Sequence, residues 1–196
     1  MAVCLEVDVG YFDERKNVDE YMRMADGFDG RELIGILGKH LPPGSAVLEL
    51  GMGPGKDLDL LAQTYTVTGS DFSTVFLDLY RAKHPESDLL HLDASELETD
   101  RSFDCIYSNK VLHHLPRTQL QRSFQRQRDT LNANGLLMHS FWYGDTEEEY
   151  SGMRFVYYTE ESLLETIGGG FEVEQIDRYE EMEANDSFYV LLRKTD

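Results

Sequence analysis

The chain has 196 residues, 41% of them hydrophobic, which suits one globular domain built around one substantial core. Acids outnumber bases 37 to 18, a formal charge of −19, and no basic cluster interrupts that field, which argues against a nucleic-acid partner. Cys4 and Cys105 are too few for a disulfide framework or a four-cysteine zinc site, and no segment approaches the ~20 apolar residues of a membrane helix. Acids appear within the first eight residues, so the start of the sequence does not read as a signal peptide, and the expected setting is reducing, cytoplasmic and away from membranes.

In chain order, residues 19–24 and 30–40 read as helices, the second through Leu33, Ile34, Leu37 and Leu41 at helical spacing, and Pro42-Pro43-Gly44 stops it. Residues 46–50 form a short apolar run bounded by turn signals, the pattern of a buried strand. A glycine-rich turn and a helix over 57–63 follow. The unit then repeats in kind: strands at 65–70, 88–92, 103–108 and 136–142, helices at 73–83 and 117–131, and a turn at Asn134-Gly135. Strands alternating with helices predict a parallel sheet covered on both faces, because parallel strands need crossovers. Residues 171–178 and 187–193 are two strand-like runs close in sequence, predicting an antiparallel pair at the end of the sheet. The runs Glu147-Glu148-Glu149 and Glu180-Glu181 read as solvated surface.

The turn itself, Glu49-Leu-Gly51-Met-Gly53-Pro-Gly55-Lys56-Asp57, decides what class of ligand to expect. A phosphate loop needs glycine where Leu50 stands and Ser or Thr where Asp57 stands, and the dinucleotide fingerprint needs a glycine at Lys56. Glu49, Asp57 and Asp59 make the surroundings hostile to a pyrophosphate and receptive to a ligand carrying positive charge.

On these residues the segment resembles motif I of the class I S-adenosylmethionine-dependent methyltransferases. The resemblance continues through Val67-Thr-Gly-Ser-Asp71-Phe72-Ser73, His91-Leu-Asp93-Ala94 and Phe103-Asp-Cys-Ile-Tyr-Ser108-Asn109-Lys-Val-Leu-His113-His114-Leu115, covering about residues 29–142. It implies an α/β, Rossmann-like, three-layer α/β/α sandwich with a seven-stranded, mostly parallel sheet in the order 3-2-1-4-5-7-6 and an antiparallel C-terminal strand. It implies S-adenosylmethionine as cofactor, held by Glu49, Gly51, Gly53 and Gly55. Asp71 would take the ribose hydroxyls, Phe72 would lie against adenine, and Asp93 and the Ala94 N–H would read its edge. The carbonyl near Ser108 and the Asn109 side chain would face the methionine end. It also implies one domain over residues 1–196, with a cofactor lid at 1–28 and an acceptor-site lid within 143–168, where Trp142 to Tyr158 concentrates aromatic residues.

The implied activity is methyl transfer to a small-molecule acceptor by in-line displacement, giving S-adenosylhomocysteine. Tyr11, His113 and Tyr143 are the substrate-side candidates, and His113 doubles as a candidate general base or as a helix-start ring held by backbone. Adjacent histidines without a carboxylate cluster do not read as a metal site. Two other classes remain open on sequence: a non-catalytic nucleoside-binding protein of the same fold, and a nucleotide-dependent oxidoreductase. The acceptor, its attacked atom and the oligomeric state are not written in the sequence.

Overall fold

The computed structural model describes residues 11–150 and 152–195. A one-turn 3-10 helix at Tyr11–Asp13 leads into α1 (Arg15–Met24) and α2 (Arg31–Leu37), then β1 (Ala46–Leu50), α3 (Lys56–Leu61), β2 (Thr66–Asp71), α4 (Thr74–Lys83), β3 (Leu89–His91) and β4 (Phe103–Asn109). A second 3-10 turn at Leu112–His114 precedes α5 (Arg117–Thr130), β5 (Leu131–Trp142), β6 (Glu147–Tyr150), β7 (Met153–Val156), α6 (Glu160–Ile167), β8 (Phe171–Tyr179) and β9 (Ser187–Lys194). Seven of the strands form one sheet in the order β3-β2-β1-β4-β5-β9-β8, and β6 pairs with β7 as a separate hairpin. With β8 and β9 counted as the sixth and seventh strands of the main sheet, this is the expected 3-2-1-4-5-7-6 order, parallel up to β5 and antiparallel after it.

Strand parity explains why the central strands read as apolar runs. Leu48, Ile106, Leu137 and Leu192 lie side by side in register and pack under α5 and α6 with Leu120, Phe124 and Leu163. Val47, Cys105, Leu136 and Leu191 point to the opposite face, against Leu33, Leu37 and Leu61 of α2 and α3. A sheet buried on both faces needs apolar residues at both parities. Several bounds differ from the sequence reading. Helix α1 begins at Arg15 rather than Asp19, and α2 ends at Leu37, where Gly38 caps it. Strand β5 runs back to Leu131 through an irregular start in which Asn134 takes φ 61°, so the expected turn lies inside the strand.

Two elements have no counterpart in the sequence reading, the β6–β7 hairpin and α6. The latter starts at a capping box in which Thr159 and Ser162 bond reciprocally. The 143–168 span therefore divides. Its hairpin stands over the carboxyl ends of the strands, whereas α6 buries Leu163 and Ile167 in the core. Residues 1–10 of the 1–28 segment, with Cys4, lie outside the described residues; Cys105 is a free, buried thiol. Among the described residues, no helix is long and apolar enough to cross a membrane.

One polar thread crosses the core. Ser108 Oγ meets His139 Nδ1 at 2.8 Å, His139 Nε2 meets Gln127 Oε1 at 2.7 Å, and Gln127 leads through Ser123 to the Ala94 carbonyl. The amide oxygen only accepts, so His139 carries its proton on Nε2 and accepts from Ser108. Burial pushes the His139 imidazole down to about 3. Below the ordinary value of about 6.5 the unfolded chain takes up a proton that the native His139 refuses, so stability fully present above that pH is lost as pH falls toward about 3. His139→Gln, which does not titrate, should cost stability at pH 7 and show a deficit that shrinks by about 2 kcal/mol at pH 5. Paired urea unfolding curves across that range check it.

Candidate functional site

Every parallel strand of the central sheet ends on the same side, and there β1 gives way to the glycine turn. Gly51, Gly53 and Gly55 take φ values of 64°, 48° and 83°, a conformation that a side chain disfavours. The alternating spacing thus encodes three left-handed steps. At Gly51 close approach adds to conformation, because a Cβ there would lie 2.5 Å from Val111 Cγ1. Gly51→Ala should therefore destabilise by about 1–2 kcal/mol from the left-handed backbone alone, plus the overlap. Adding Val111→Ala should recover only the overlap, as read by urea unfolding.

Two cavities of about 380 and 360 Å³ lie beyond the turn and share Phe12, Tyr21, Gly51, Gly53, Lys110 and Met153 in their linings. The first is bounded by Asp71 and Phe72 after β2 and by Asp93 and Ala94 after β3. Asp71 is buried at the end of β2, its Oδ2 accepting the Gly53 N–H and its Oδ1 the Ser73 N–H, both at 2.8 Å. Burial raises its carboxyl above the ordinary value, and those N–H bonds oppose the rise. Each oxygen keeps a lone pair for a further donor. Phe72 is exposed, with its ring 5.6 Å from that of His91, and Asp93 Oδ1 accepts the Ser95 N–H at 2.7 Å. Phe12 and Tyr21 roof the shared part, where Phe12 packs on Tyr21 and Phe76 and its carbonyl accepts from Ser73 Oγ at 2.6 Å.

The second cavity holds the site's most polar wall. Asp57 Oδ1 accepts the Gly30 N–H at 2.6 Å, and its Oδ2 accepts from the Tyr107 hydroxyl at 2.8 Å and Asn109 Nδ2 at 3.1 Å. Asn109 Oδ1 in turn accepts from Ser140 Oγ. Glu49 is buried beside them with no partner for Oε2. Burial first, then Asp57, Asp71 and Asp59, hold its carboxyl well above the ordinary carboxylate range. A buried carboxyl ringed by carboxylates and short of a donor is a receptor for a cation.

Comparison with known proteins agrees. Residues 47–135 match the family model described as a methyltransferase domain. The match covers 89 of the 196 residues, and over them the chain is similar to the methyltransferases. A curated relative, trans-aconitate 2-methyltransferase of Rhizobium rhizogenes, is 31% identical over 93 residues, which is 46% of this chain; the chain spans about a third, 36%, of that protein's length. Among solved structures, the 1,6-didemethyltoxoflavin-N1-methyltransferase of Burkholderia thailandensis, with its acceptor and S-adenosylhomocysteine bound, superposes with a TM-score of 0.76. It shares 22% identity and covers 91% of this chain and 83% of that one. The N-methyltransferase NodS of Bradyrhizobium japonicum, in complex with S-adenosylhomocysteine, gives 0.73 at 13% identity over 95% and 100% of the two chains. At these identities the superpositions establish the shared fold.

Within this methyltransferase fold, Glu49, Gly51, Gly53, Asp71, Phe72, Asp93, Ala94, Asn109, Tyr11 and His113 all line the two cavities. Three other sequence candidates do not. Gly55 lines neither cavity. It caps α3, and a Cβ there would strike the Tyr80 ring, so its part is close packing. Ser108 is fully buried with its hydroxyl on His139, because it shares the parity of Ile106 and faces α5. Tyr143 lies off the cavities, with the Arg178 guanidinium 3.5 Å from its ring centroid and Phe188 beside it.

Sequence reasoning assigned no role at the site to Lys110, although it immediately follows Asn109. Its Nζ donates to the Phe141 carbonyl and Ser187 Oγ and lies 3.7 Å from the Trp142 ring centroid, tying the loop after β4 to β5 and β9. Burial pulls its ammonium down to about 7, against the pull of Glu181 and Asp186.

Proposed function

We propose that the chain binds S-adenosylmethionine across the glycine turn and transfers its methyl group to a small-molecule acceptor by in-line displacement. The single observation that carries the reading is Glu49, a buried carboxyl with an unpartnered oxygen among three other acids in the lining of the second cavity. An α-ammonium and a sulfonium supply the positive charge this cluster lacks, whereas the phosphates of a nicotinamide or adenine nucleotide would add to the repulsion. The fit is chemical at both ends. Asp71 offers spare lone pairs to a ribose diol in the first cavity, and Asp93 with Ala94 offers an acceptor and a backbone N–H to a purine edge. The lid role of the N-terminal segment belongs to Phe12 and Tyr21, which close over the turn and exclude water.

When bound, the cofactor supplies an electrophilic methyl carbon. The protein's share is then positional. The glycine turn and Glu49 fix the methionine end, the Asp57–Asn109–Ser140 network holds the loop after β4 rigid, and the second cavity delivers the acceptor along its open direction. That second cavity, walled by Trp142 and Phe155 beyond the turn, is what a non-catalytic nucleoside-binding protein would not need. The relatives named above methylate different acceptors, so their substrates are not carried over. Thermal unfolding with excess ligand tests the proposal. S-adenosylmethionine and S-adenosylhomocysteine at 100 times a dissociation constant should each stabilise by about 2.7 kcal/mol. NADH and ATP should do nothing, and stabilisation by NADH alone would overturn it.

A further inference from the structure

The second cavity extends past the cofactor's proposed place, and its outer half is finished in an unusual way. Four of the six exposed large hydrophobic residues among those described, Met24, Phe28, Tyr150 and Met182, lie on its rim, contributed by three separate parts of the chain. Trp142 and Phe155 stand further in. A convergence of uncovered rings and thioethers around a concave mouth marks a surface that a flat apolar ligand covers.

The charged groups lining this cavity are already engaged. Lys56 Nζ donates to the Ala25 carbonyl and pairs with Asp26, and Lys110 Nζ is held by Phe141 and Ser187. Asp29 is forked by Arg31, Asp57 accepts three bonds, and Glu181 acts on the Lys110 ammonium through its charge. Both lysines of the described lining thus already have protein partners, which disfavours a carboxylate or phosphate acceptor, and Glu49 is taken by the cofactor in the reading above.

One polar group is left over. His113 is buried, lines this cavity, and has no hydrogen-bond partner on either ring nitrogen. Its ring stacks on Phe155, with centroids 5.4 Å apart at 28°, and lies 4.0 Å from that of His114. His114 in turn donates from Nδ1 to the Arg154 carbonyl at 2.7 Å, which pins the hairpin onto the 3-10 turn and fixes the angle between His113 and the hairpin wall. Burial, His114 and Lys110 all hold the imidazole neutral, so one buried ring nitrogen keeps an unpaired lone pair and the other an N–H without an acceptor. A buried ring whose hydrogen bonds are not met inside the protein calls for a partner from outside it, and the cavity it lines is where a ligand can supply one.

We propose that the outer half of the second cavity is a subsite for a flat, uncharged aromatic acceptor, which lies against the Trp142 and Phe155 wall and presents a ring N–H or O–H to His113. The proposal rests on the cofactor reading above, and the test separates the two. Protein saturated with S-adenosylhomocysteine is titrated calorimetrically with indole, with benzofuran, which has the same shape without the N–H, and with citrate. Indole should bind at least tenfold more tightly than benzofuran, and citrate should give no signal. In His113→Leu the preference for indole should vanish while S-adenosylhomocysteine binding is unchanged. In Phe155→Leu both aromatic probes should weaken together. Equal affinities for indole and benzofuran, a preference that survives in His113→Leu, silence with both aromatics, or binding of citrate instead would overturn the subsite. Failure of S-adenosylhomocysteine itself to bind would overturn the cofactor reading beneath it.

Discussion

Glu49→Gln should make the unliganded protein more stable and a far poorer binder of S-adenosylmethionine. The native carboxyl is buried with an unpartnered oxygen and faces three other acids. Its pKa is raised above the unfolded value, so the stability associated with its protonated form is fully present below about 4.5 and is lost as pH rises through the higher native value. The amide carries no charge to desolvate, and the variant should gain about 1–2 kcal/mol at pH 7–8 and little near pH 4.5. Binding should move the other way. Loss of a charge-assisted contact to the ammonium is worth about 2–3 kcal/mol, or roughly 30- to 150-fold in affinity. Chemical denaturation at two pH values, together with calorimetric affinities, reads both effects. An unchanged affinity in the stabilised variant would remove Glu49 from the cofactor's partners.

Asp71→Ala should weaken the cofactor by its nucleoside end. The carboxylate both faces the first cavity and ties the Gly53 N–H to the start of α4 through Ser73, so its loss removes a ligand partner and a brace of the turn. We expect S-adenosylhomocysteine affinity to fall roughly 30- to 100-fold and stability to fall by about 1–2 kcal/mol. Adenosine separates this end of the site from the other. Its binding should suffer as much as that of S-adenosylhomocysteine in Asp71→Ala and hardly at all in Glu49→Gln, a contrast measured by competition against radiolabelled S-adenosylhomocysteine.

The parts of this site that could be read from sequence are those set by local backbone and local pattern. Three left-handed steps demand three glycines, so the turn announced itself, and both parities of β1, β4 and β5 are apolar because helices cover both faces. The site's polar logic was less legible because its partners are far apart in the chain. Asp57 is completed by Gly30 and Tyr107, 27 and 50 residues away. Parity alone separates Asn109, on the Tyr107 side and facing the cavity, from Ser108, on the Ile106 side and facing the core. The hairpin escaped notice because β6 is exposed at all four positions of Glu147–Tyr150 and shows no alternation, so its glutamates read only as solvated surface. It is also outside the 47–135 segment that matches the methyltransferase domain, so the wall proposed for the acceptor lies beyond that match.

The most direct test of the central claim is a calorimetric titration of the purified protein with S-adenosylmethionine, run at pH 7 in two buffers of different ionisation enthalpy. The account predicts one site per chain with micromolar affinity and, when the titration is repeated at pH values from 5 upward, net release of protons to the buffer wherever free Glu49 still holds its proton, because the arriving cation favours the ionised carboxylate. Binding without proton release at any pH across that range would contradict the role given to Glu49, and the absence of saturable binding would contradict the assignment of the glycine turn to this cofactor.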